Sequence, residues 1–290
     1  MRPPSPAEEG GGEPPHSKMR IDQVRARHRE EALQRGINPR DVDLLLSDLL
    51  GKSLPYLIGH GDEHVDASQL EQLLARRYAG EPLQYIRGKT EFYSREFLVD
   101  DRVLIPRPET ELVVEAALTR AKRGARIVDI GTGSGCIAIS IERERPDLRV
   151  AGVDVSIAAL ALAAKNRARL SSRVSLAASD VLNSIRGTFD LIVSNPPYIA
   201  EAELQALAIE VRGYEPHGAL TPGTSGTEVI ERILDEALPL LQPEGRVIME
   251  IGFGQESALR ELAATKRFDV EDLIPDLAGI ARVIVLSPHG

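Results

Sequence analysis

From Arg126 onward the sequence predicts a doubly wound α/β fold, and three observations carry that expectation. Short apolar runs alternate with helical patterns. The first run closes in a glycine-rich turn, Gly131-Thr-Gly-Ser-Gly135, which opens a helix, and a later run closes in Asn195-Pro-Pro-Tyr198. Strands of a parallel sheet are buried on both faces and read as near-continuous apolar runs, and open sheets of this kind bind ligands beyond the carboxyl ends of their strands. Both marked turns stand at such ends.

The expected strands are Arg126 to Ile130, Arg149 to Val153, Val174 to Leu176 and Phe189 to Val193, with helices after the first two. A helix over 227–241 follows from the spacing of Val229, Ile230, Ile233, Leu234 and Leu238. A strand at Arg246 to Ile251 comes next, and strands around Phe268 to Val270 and Ala281 to Leu286 close the sheet.

Ahead of this domain the pattern changes. Residues 20–88 read as a small helical domain with no strand pattern: Val42, Leu44, Leu45, Leu46, Leu49 and Leu50 supply one apolar face, and Leu70, Leu73 and Leu74 another. Ser68-Gln-Leu-Glu71 has the spacing of a capping box. Glu81 to Gly88 leaves the helices, and residues 89–104 read as a hairpin linker because Glu91 to Val99 is rich in aromatic and β-branched residues. Residues 105–290 form the α/β domain, entered through a segment that Pro106 and Pro108 stiffen before Leu112, Val113, Ala116 and Ala117 begin a helix. Residues 1–19, rich in Pro, Gly and Glu and without an apolar stretch, read as a disordered leader rather than a signal peptide, with Met1 and Met19 both open as starts.

A chain of 290 residues with a net charge of −9 has ample area for two cores and no broad basic footprint for duplex nucleic acid. One cysteine, Cys136, forms no internal disulfide, and no run approaches the roughly 18 apolar residues of a membrane span. The cytoplasm is therefore the expected compartment, with no membrane contact, and a monomer is the expected state, although composition does not set the oligomeric state. His60-Gly-Asp-Glu-His64 has two histidines but no helix to fix them, so no metal site is expected.

The glycine turn marks a place where a ligand is approached by bare backbone. Its spacing is G-x-G-x-G, with Cys136 where a dinucleotide fingerprint places its third glycine, so a head group smaller than a pyrophosphate fits better. Asp154, at the end of the second strand, stands where a carboxylate takes both ribose hydroxyls. Asp180, after the third strand and beside Val181, is placed to accept from an adenine amine, or is a plain helix cap. Gly131, Thr132, Gly133, Ser134, Gly135, Asp154, Asp180, Val181 and Asn195 are therefore the candidate cofactor contacts, and the combination points to S-adenosylmethionine rather than NAD.

At Asn195-Pro-Pro-Tyr198 two consecutive prolines fix φ and remove two amide donors, leaving carbonyls and the Asn195 side-chain oxygen as acceptors. Such a corner suits a planar substrate bearing an NH2, held at Asn195 and the Pro196 carbonyl with its face on the Tyr198 ring. The plainer alternative is an ordinary strand-to-loop turn. The candidate catalytic residues are Asn195, Pro196 and Tyr198, and Pro197 joins them as a substrate contact.

These marks together resemble the PrmC/HemK family of protein-(glutamine-N5) methyltransferases, over about residues 20–288. The resemblance rests on Gly80-Glu-Pro-Leu-Gln-Tyr-Ile-Arg-Gly88, Glu91-Phe-Tyr93, Leu104-Ile-Pro-Arg-Pro-Glu-Thr-Glu111, Asp129 to Gly135, Asn195 to Tyr198, Tyr214-Glu-Pro216 and Glu250-Ile-Gly252. It implies a class I methyltransferase domain with a Rossmann-like, seven-stranded, mostly parallel sheet, and an N-terminal helical domain that helps bind the protein substrate. The activity implied is methyl transfer from S-adenosylmethionine to the glutamine of the Gly-Gly-Gln tripeptide in class I release factors. Pro108-Glu-Thr-Glu111 is closer to the release-factor branch than to the ribosomal-protein glutamine methyltransferases. Asn-Pro-Pro-Tyr is shared with N6-adenine nucleic-acid methyltransferases, from which the acidic balance separates this chain. Two departures from the family pattern are Val181, where an aromatic is frequent, and Ser94, where glycine is frequent.

Overall fold

The computed structural model describes residues 18–289, so the leader expected at 1–19 falls almost wholly outside the described residues. The chain divides between Ile86 and Arg87 into two compact units. Among the described residues no helix is long and apolar enough to cross a membrane.

The first unit holds α1 (Ile21–Gln34), α2 (Arg40–Leu50), α3 (Leu54–Gly59), α4 (Ser68–Tyr78) and most of α5 (Leu83–Arg87), around a core that includes Ile21, Val24, Leu45, Leu46, Leu57, Leu70 and Leu74. Two buried carboxylates on α2 are paired: Asp41 with Arg77 at 2.8 Å and Asp43 with Arg25 at 2.9 Å. Three details depart from the sequence expectation. Strands β1 (Met19–Arg20) and β2 (His64–Val65) pair antiparallel, and two residues are too few for an alternating pattern to register. The capping box does not form, because α4 begins at Ser68 itself and the Ser68 amide donates to Asp66 at 2.9 Å. The stretch from Glu81 to Gly88 contains the short helix α5, entered after Pro82, whose fixed φ suits a first turn.

The second unit starts with the hairpin of β3 (Lys89–Phe92) and β4 (Arg95–Leu98). Tyr93 and Ser94 both take left-handed φ, 49° and 57°, as a two-residue hairpin turn of the primed type demands, although neither is glycine. The hairpin expected as a linker is built into this unit: Phe92 and Phe97 are buried in one core with Val113, Ile139 and Leu148. Asn166, fully buried, fastens it further. The Leu98 amide donates to Asn166 Oδ1 at 2.8 Å, while Asn166 Nδ2 donates to the carbonyls of Leu98 at 3.0 Å and Ser134 at 2.9 Å.

The sheet comprises β5 (Arg126–Ile130), β6 (Arg149–Asp154), β7 (Ser175–Ala178), β8 (Phe189–Ser194), β9 (Leu241–Glu250), β10 (Phe268–Pro275) and β11 (Ala281–Pro288), in the order β10-β11-β9-β8-β5-β6-β7. The ladders joining β5 to β9 are parallel, and β11 is antiparallel to both of its neighbours. Alternate strand residues face opposite layers. Ile127, Leu191 and Val193 pack with α6 (Glu111–Arg120) and α7 (Cys136–Glu144), whereas Val128, Ile130 and Ile192 pack with α11 (Glu228–Ala237) and α12 (Glu256–Thr265). Between β6 and β7 runs α8 (Ile157–Arg169), and between β8 and α11 run the short α9 (Ile209–Tyr214) and α10 (His217–Leu220). The helix expected over 227–241 stops at Ala237 because Pro239 cannot continue it, and β9 accordingly starts at Leu241, earlier than the pattern showed.

Asn166 ties the hairpin to the glycine turn, so its loss is felt in both. Asn166→Ala orphans the part-buried amide and carbonyl of Leu98 and the buried carbonyl of Ser134, and about 1–3 kcal/mol is lost for each unsatisfied group that water cannot reach. Denaturant unfolding should show the variant destabilised by about 2–4 kcal/mol; a loss below about 0.5 kcal/mol, the range of neutral surface changes, would contradict this clamp.

Candidate active site

The strand order reverses at β5, which has β8 on one side and β6 on the other. Register pairs Ile130 with Ser194, and Ser194 Oγ donates to the Ile130 carbonyl at 2.8 Å. The residues that follow, Gly131 and Asn195, consequently leave the sheet side by side. Above this edge lies a cleft of about 290 Å³, at the lower end of ligand-pocket volumes. Gly131, Thr132, Gly133, Ser134, Asp154, Asp180, Val181, Asn195 and Pro197 all line it. Gly135 does not: it precedes α7, where its φ of +83° turns the chain into the helix.

Gly131 and Gly133 also have left-handed φ, 67° and 54°. A Cβ on Gly131 would stand in open space, and one on Gly133 would meet only a carbonyl at 3.9 Å, so the cleft side of this turn is bare backbone. The turn is braced from beneath. Thr132 Oγ1 donates to Asp129 Oδ2 at 2.6 Å, and the Thr132 amide donates to the Val153 carbonyl at 2.9 Å. Asp154 accepts from the Gly133 amide at 2.9 Å and the Ser156 amide at 2.8 Å, one on each oxygen. Each oxygen keeps a second lone pair, so the carboxylate is aimed at the cleft by two bonds and still accepts there. Burial pushes its pKa above the ordinary carboxylate value, against these two amides. Asp180 is ion-paired with Arg232 of α11 at 2.9 Å, and Val181 is buried with a left-handed φ of 52°, an unusual conformation for a β-branched residue.

Asn195 and Pro197 also line a second recess of about 190 Å³, shared with Pro196, Tyr198, Leu104, Arg107 and Leu220. The Asn-Pro-Pro-Tyr corner is thus the partition between two cavities. Sequence reasoning missed the groups that hold it. Asn195 Nδ2 donates to Thr110 Oγ1 at 3.1 Å, Thr110 Oγ1 donates to Glu250 Oε2 at 2.6 Å, and Tyr198 Oη donates to Glu250 Oε1 at 3.1 Å. Thr110 and Glu250 are 1% and 2% exposed. Burial raises the Glu250 pKa, and burial together with the Glu250 carboxylate raises that of the Tyr198 phenol, which stays protonated at neutral pH. Gln255 bridges the Tyr198 carbonyl at 3.0 Å and the Gly252 amide at 2.9 Å. Glu215, buried, accepts from Arg107 and from the Ile105 amide at 3.3 Å, which fixes the segment leading to Thr110. Thr110, Glu215 and Glu250 all lie within motifs the sequence singled out, but their partners lie 52 to 140 residues away. Cys136 lines the first cleft, and burial pushes its thiol up to about 12, so it packs there as a small apolar residue.

Residues 24–88 match the model of the PrmC N-terminal domain, and residues 108–212 that of the methyltransferase small domain. The release factor glutamine methyltransferase of Koribacter versatilis is 41% identical over 256 residues, 86% of this chain and 91% of that protein. The chain belongs to this family. The release factor glutamine methyltransferase of Nitratidesulfovibrio vulgaris is 43% identical over 229 residues, 77% of this chain and 78% of that one. A methyltransferase from Pyrococcus furiosus aligns with a TM-score of 0.52 at 18% identity, over 76% of this chain and 98% of that one, a likeness of fold. The seven-stranded sheet is that of class I methyltransferases, and this release factor glutamine methyltransferase homologue is an enzyme dependent on S-adenosylmethionine. The residues present suit that cofactor: a bare glycine turn and an aimed carboxylate face one cleft.

Asp129, beneath the turn, provides a stability test. Burial pushes its pKa from 3.8 up to about 7, so the folded protein holds this proton more tightly than the unfolded chain. The stability it contributes is fully present below about pH 4 and is lost as pH rises through about 7. Asp129 Oδ2 also accepts from the Ala138 amide at 3.3 Å, and Asp129→Asn keeps an oxygen for Thr132 and that amide but does not ionise. Urea unfolding across this window should show a shallower decline for the variant than for the parent; identical slopes would contradict the buried, proton-holding carboxyl.

Proposed function

We propose that the chain transfers the methyl group of S-adenosylmethionine to the side-chain amide nitrogen of the glutamine in the Gly-Gly-Gln tripeptide of class I release factors. One observation carries this reading: Asn195 and Pro197 form a common wall between the glycine-turn cleft and the recess that Pro196 and Tyr198 line. Cofactor on one side and a single flat side chain on the other would meet at Asn195.

When bound, S-adenosylmethionine supplies an electrophilic methyl group on a positively charged sulfur. The chain's own residues supply placement. An amide nitrogen is a poor nucleophile because its lone pair is delocalised into the carbonyl, so alignment carries more of the rate than any base. Asn195 Oδ1 and the Pro196 carbonyl accept the two amide hydrogens, which raises electron density on nitrogen and fixes its direction. The Tyr198 ring, tethered through its hydroxyl to Glu250, gives the amide plane a face to lie on. Asp154 would take the ribose hydroxyls, and Gly131 to Ser134 would take the neighbouring part of the cofactor against the backbone of the turn. Asp180 lines the same cleft, and its pairing with Arg232 occupies one oxygen and leaves the other to accept at the adenine edge. The substrate's proton leaves late in the transfer.

The helical unit supplies docking area for the release factor, since one side chain in a recess of 190 Å³ buries too little surface for useful affinity. A net charge of −9 supports a protein rather than a nucleic-acid partner, and the reading is of a monomer acting in the cytoplasm, where release factors work.

Asn195→Ala should lower turnover on release factor by on the order of 10²-fold, as loss of a preorganised polar contact does, while cofactor affinity falls far less. Steady-state kinetics and calorimetry measure the two. Near-native turnover at saturating substrate would remove the clamp.

A further inference from the structure

Thr110 stands at the end of a 3-10 turn, Pro108–Thr110, just before α6, and lines the glycine-turn cleft. Its hydroxyl lies between two groups of opposite character. Glu250 Oε2, 2.6 Å away, belongs to a carboxylate whose other oxygen already accepts the Tyr198 hydroxyl. The Asn195 side chain lies 3.1 Å away on the other side. A hydroxyl has one hydrogen, and the Thr110 hydroxyl donates it to Glu250 Oε2. What remains for Asn195 is a lone pair. Only the NH2 end of the Asn195 amide can use it, and the carbonyl end must turn the opposite way.

We propose that Thr110 is a positioning residue for methyl transfer: by committing its hydrogen to Glu250, it dictates that Asn195 presents Oδ1, not Nδ2, to the substrate amide. The inference rests on the clamp reading above and deepens it. An acceptor at that point binds an NH2 group, whereas a reversed Asn195 would set NH2 against NH2. Without Thr110 the two orientations of the Asn195 amide differ little in shape, so geometry alone does not choose between them. The polarity comes from Glu250, at the end of β9, and reaches Asn195, at the end of β8, through one hydroxyl from a third element. Thr110 and Glu250 are buried, and Asn195 is half-buried between the two cavities.

The test compares Thr110→Val and Thr110→Ser, each alone and with Asn195→Ala, in the full-length enzyme acting on release factor. Valine has nearly the shape of threonine and no hydroxyl; serine keeps the hydroxyl. Thr110→Val is expected to lower kcat roughly 10- to 100-fold, in the range of a misplaced reacting group, with KM for release factor and calorimetric cofactor affinity little changed. Thr110→Ser is expected to recover most of kcat. In the Asn195→Ala background, Thr110→Val is expected to add nothing, because there is no amide left to orient. Thermal melting and cofactor binding establish that each variant is folded. A fully active Thr110→Val beside a crippled Asn195→Ala would overturn the positioning role and leave the clamp standing. Near-native turnover of Asn195→Ala would overturn the clamp, and the positioning role with it. Losses that multiply in the double variant would overturn the route through Asn195, and so would a serine variant that is folded and as slow as the valine one.

Discussion

The parallel pairing of β5 with β8 is the constraint on which the rest of the site depends. Ile130 lies opposite Ser194, and the Ser194 hydroxyl closes onto the Ile130 carbonyl at 2.8 Å. Two motifs separated by 64 residues in the chain therefore emerge from the sheet as neighbours, the glycine turn on one strand and Asn-Pro-Pro-Tyr on the next. A slip of one residue would turn every side chain of β8 to the opposite face, moving Ile192 out of one core and Leu191 and Val193 out of the other. Two hydrophobic layers thus guard the register that the chemistry needs. The order of strands makes this the point of reversal, where a crevice is left between helices that lie on opposite faces.

Around that crevice the fold places buried polar groups, and three of them, Asn166, Glu215 and Glu250, each hold more than one partner. Asn166 makes three hydrogen bonds that hold the hairpin and the glycine turn together. Glu215 ties the segment around Ile105 and Arg107, and Glu250 takes a hydroxyl on each oxygen. Desolvated carboxylates are unfavourable by themselves, and the raised pKa values of Glu215 and Glu250 both come first from burial. Their retention beside the Asn-Pro-Pro-Tyr corner is explained by orientation: polar partners fix direction where apolar packing fixes only shape.

What the sequence made legible follows the range of the interactions involved. The strands that begin at Arg126, Arg149 and Phe189, the glycine turn and the prolines after Asn195 are dictated by neighbours a few residues away, and they stand where the pattern placed them. The hairpin was legible from Phe92, Phe97 and their neighbours, but its absorption into the core around Val113 and Ile139 was not, because that packing is tertiary. The same holds for Thr110 and Glu250, whose hydrogen bond spans 140 residues. Local signals also misled where a nearer group competed: Asp66 captured the Ser68 amide that the capping-box spacing had assigned elsewhere. At Ser94 and Val181 the chain holds left-handed φ without glycine, a conformation that residue type alone does not announce.

The central claim is that the partition at Asn195 brings one glutamine amide to the cofactor. It is tested most directly by incubating the full-length enzyme and isotopically labelled S-adenosylmethionine with purified release factor and, separately, with DNA, followed by peptide and nucleoside mass mapping. The account predicts a single labelled methyl group on the side-chain nitrogen of the Gly-Gly-Gln glutamine and none on adenine. Label on adenine, or on the protein at any other residue while that glutamine stays unmodified, would contradict it.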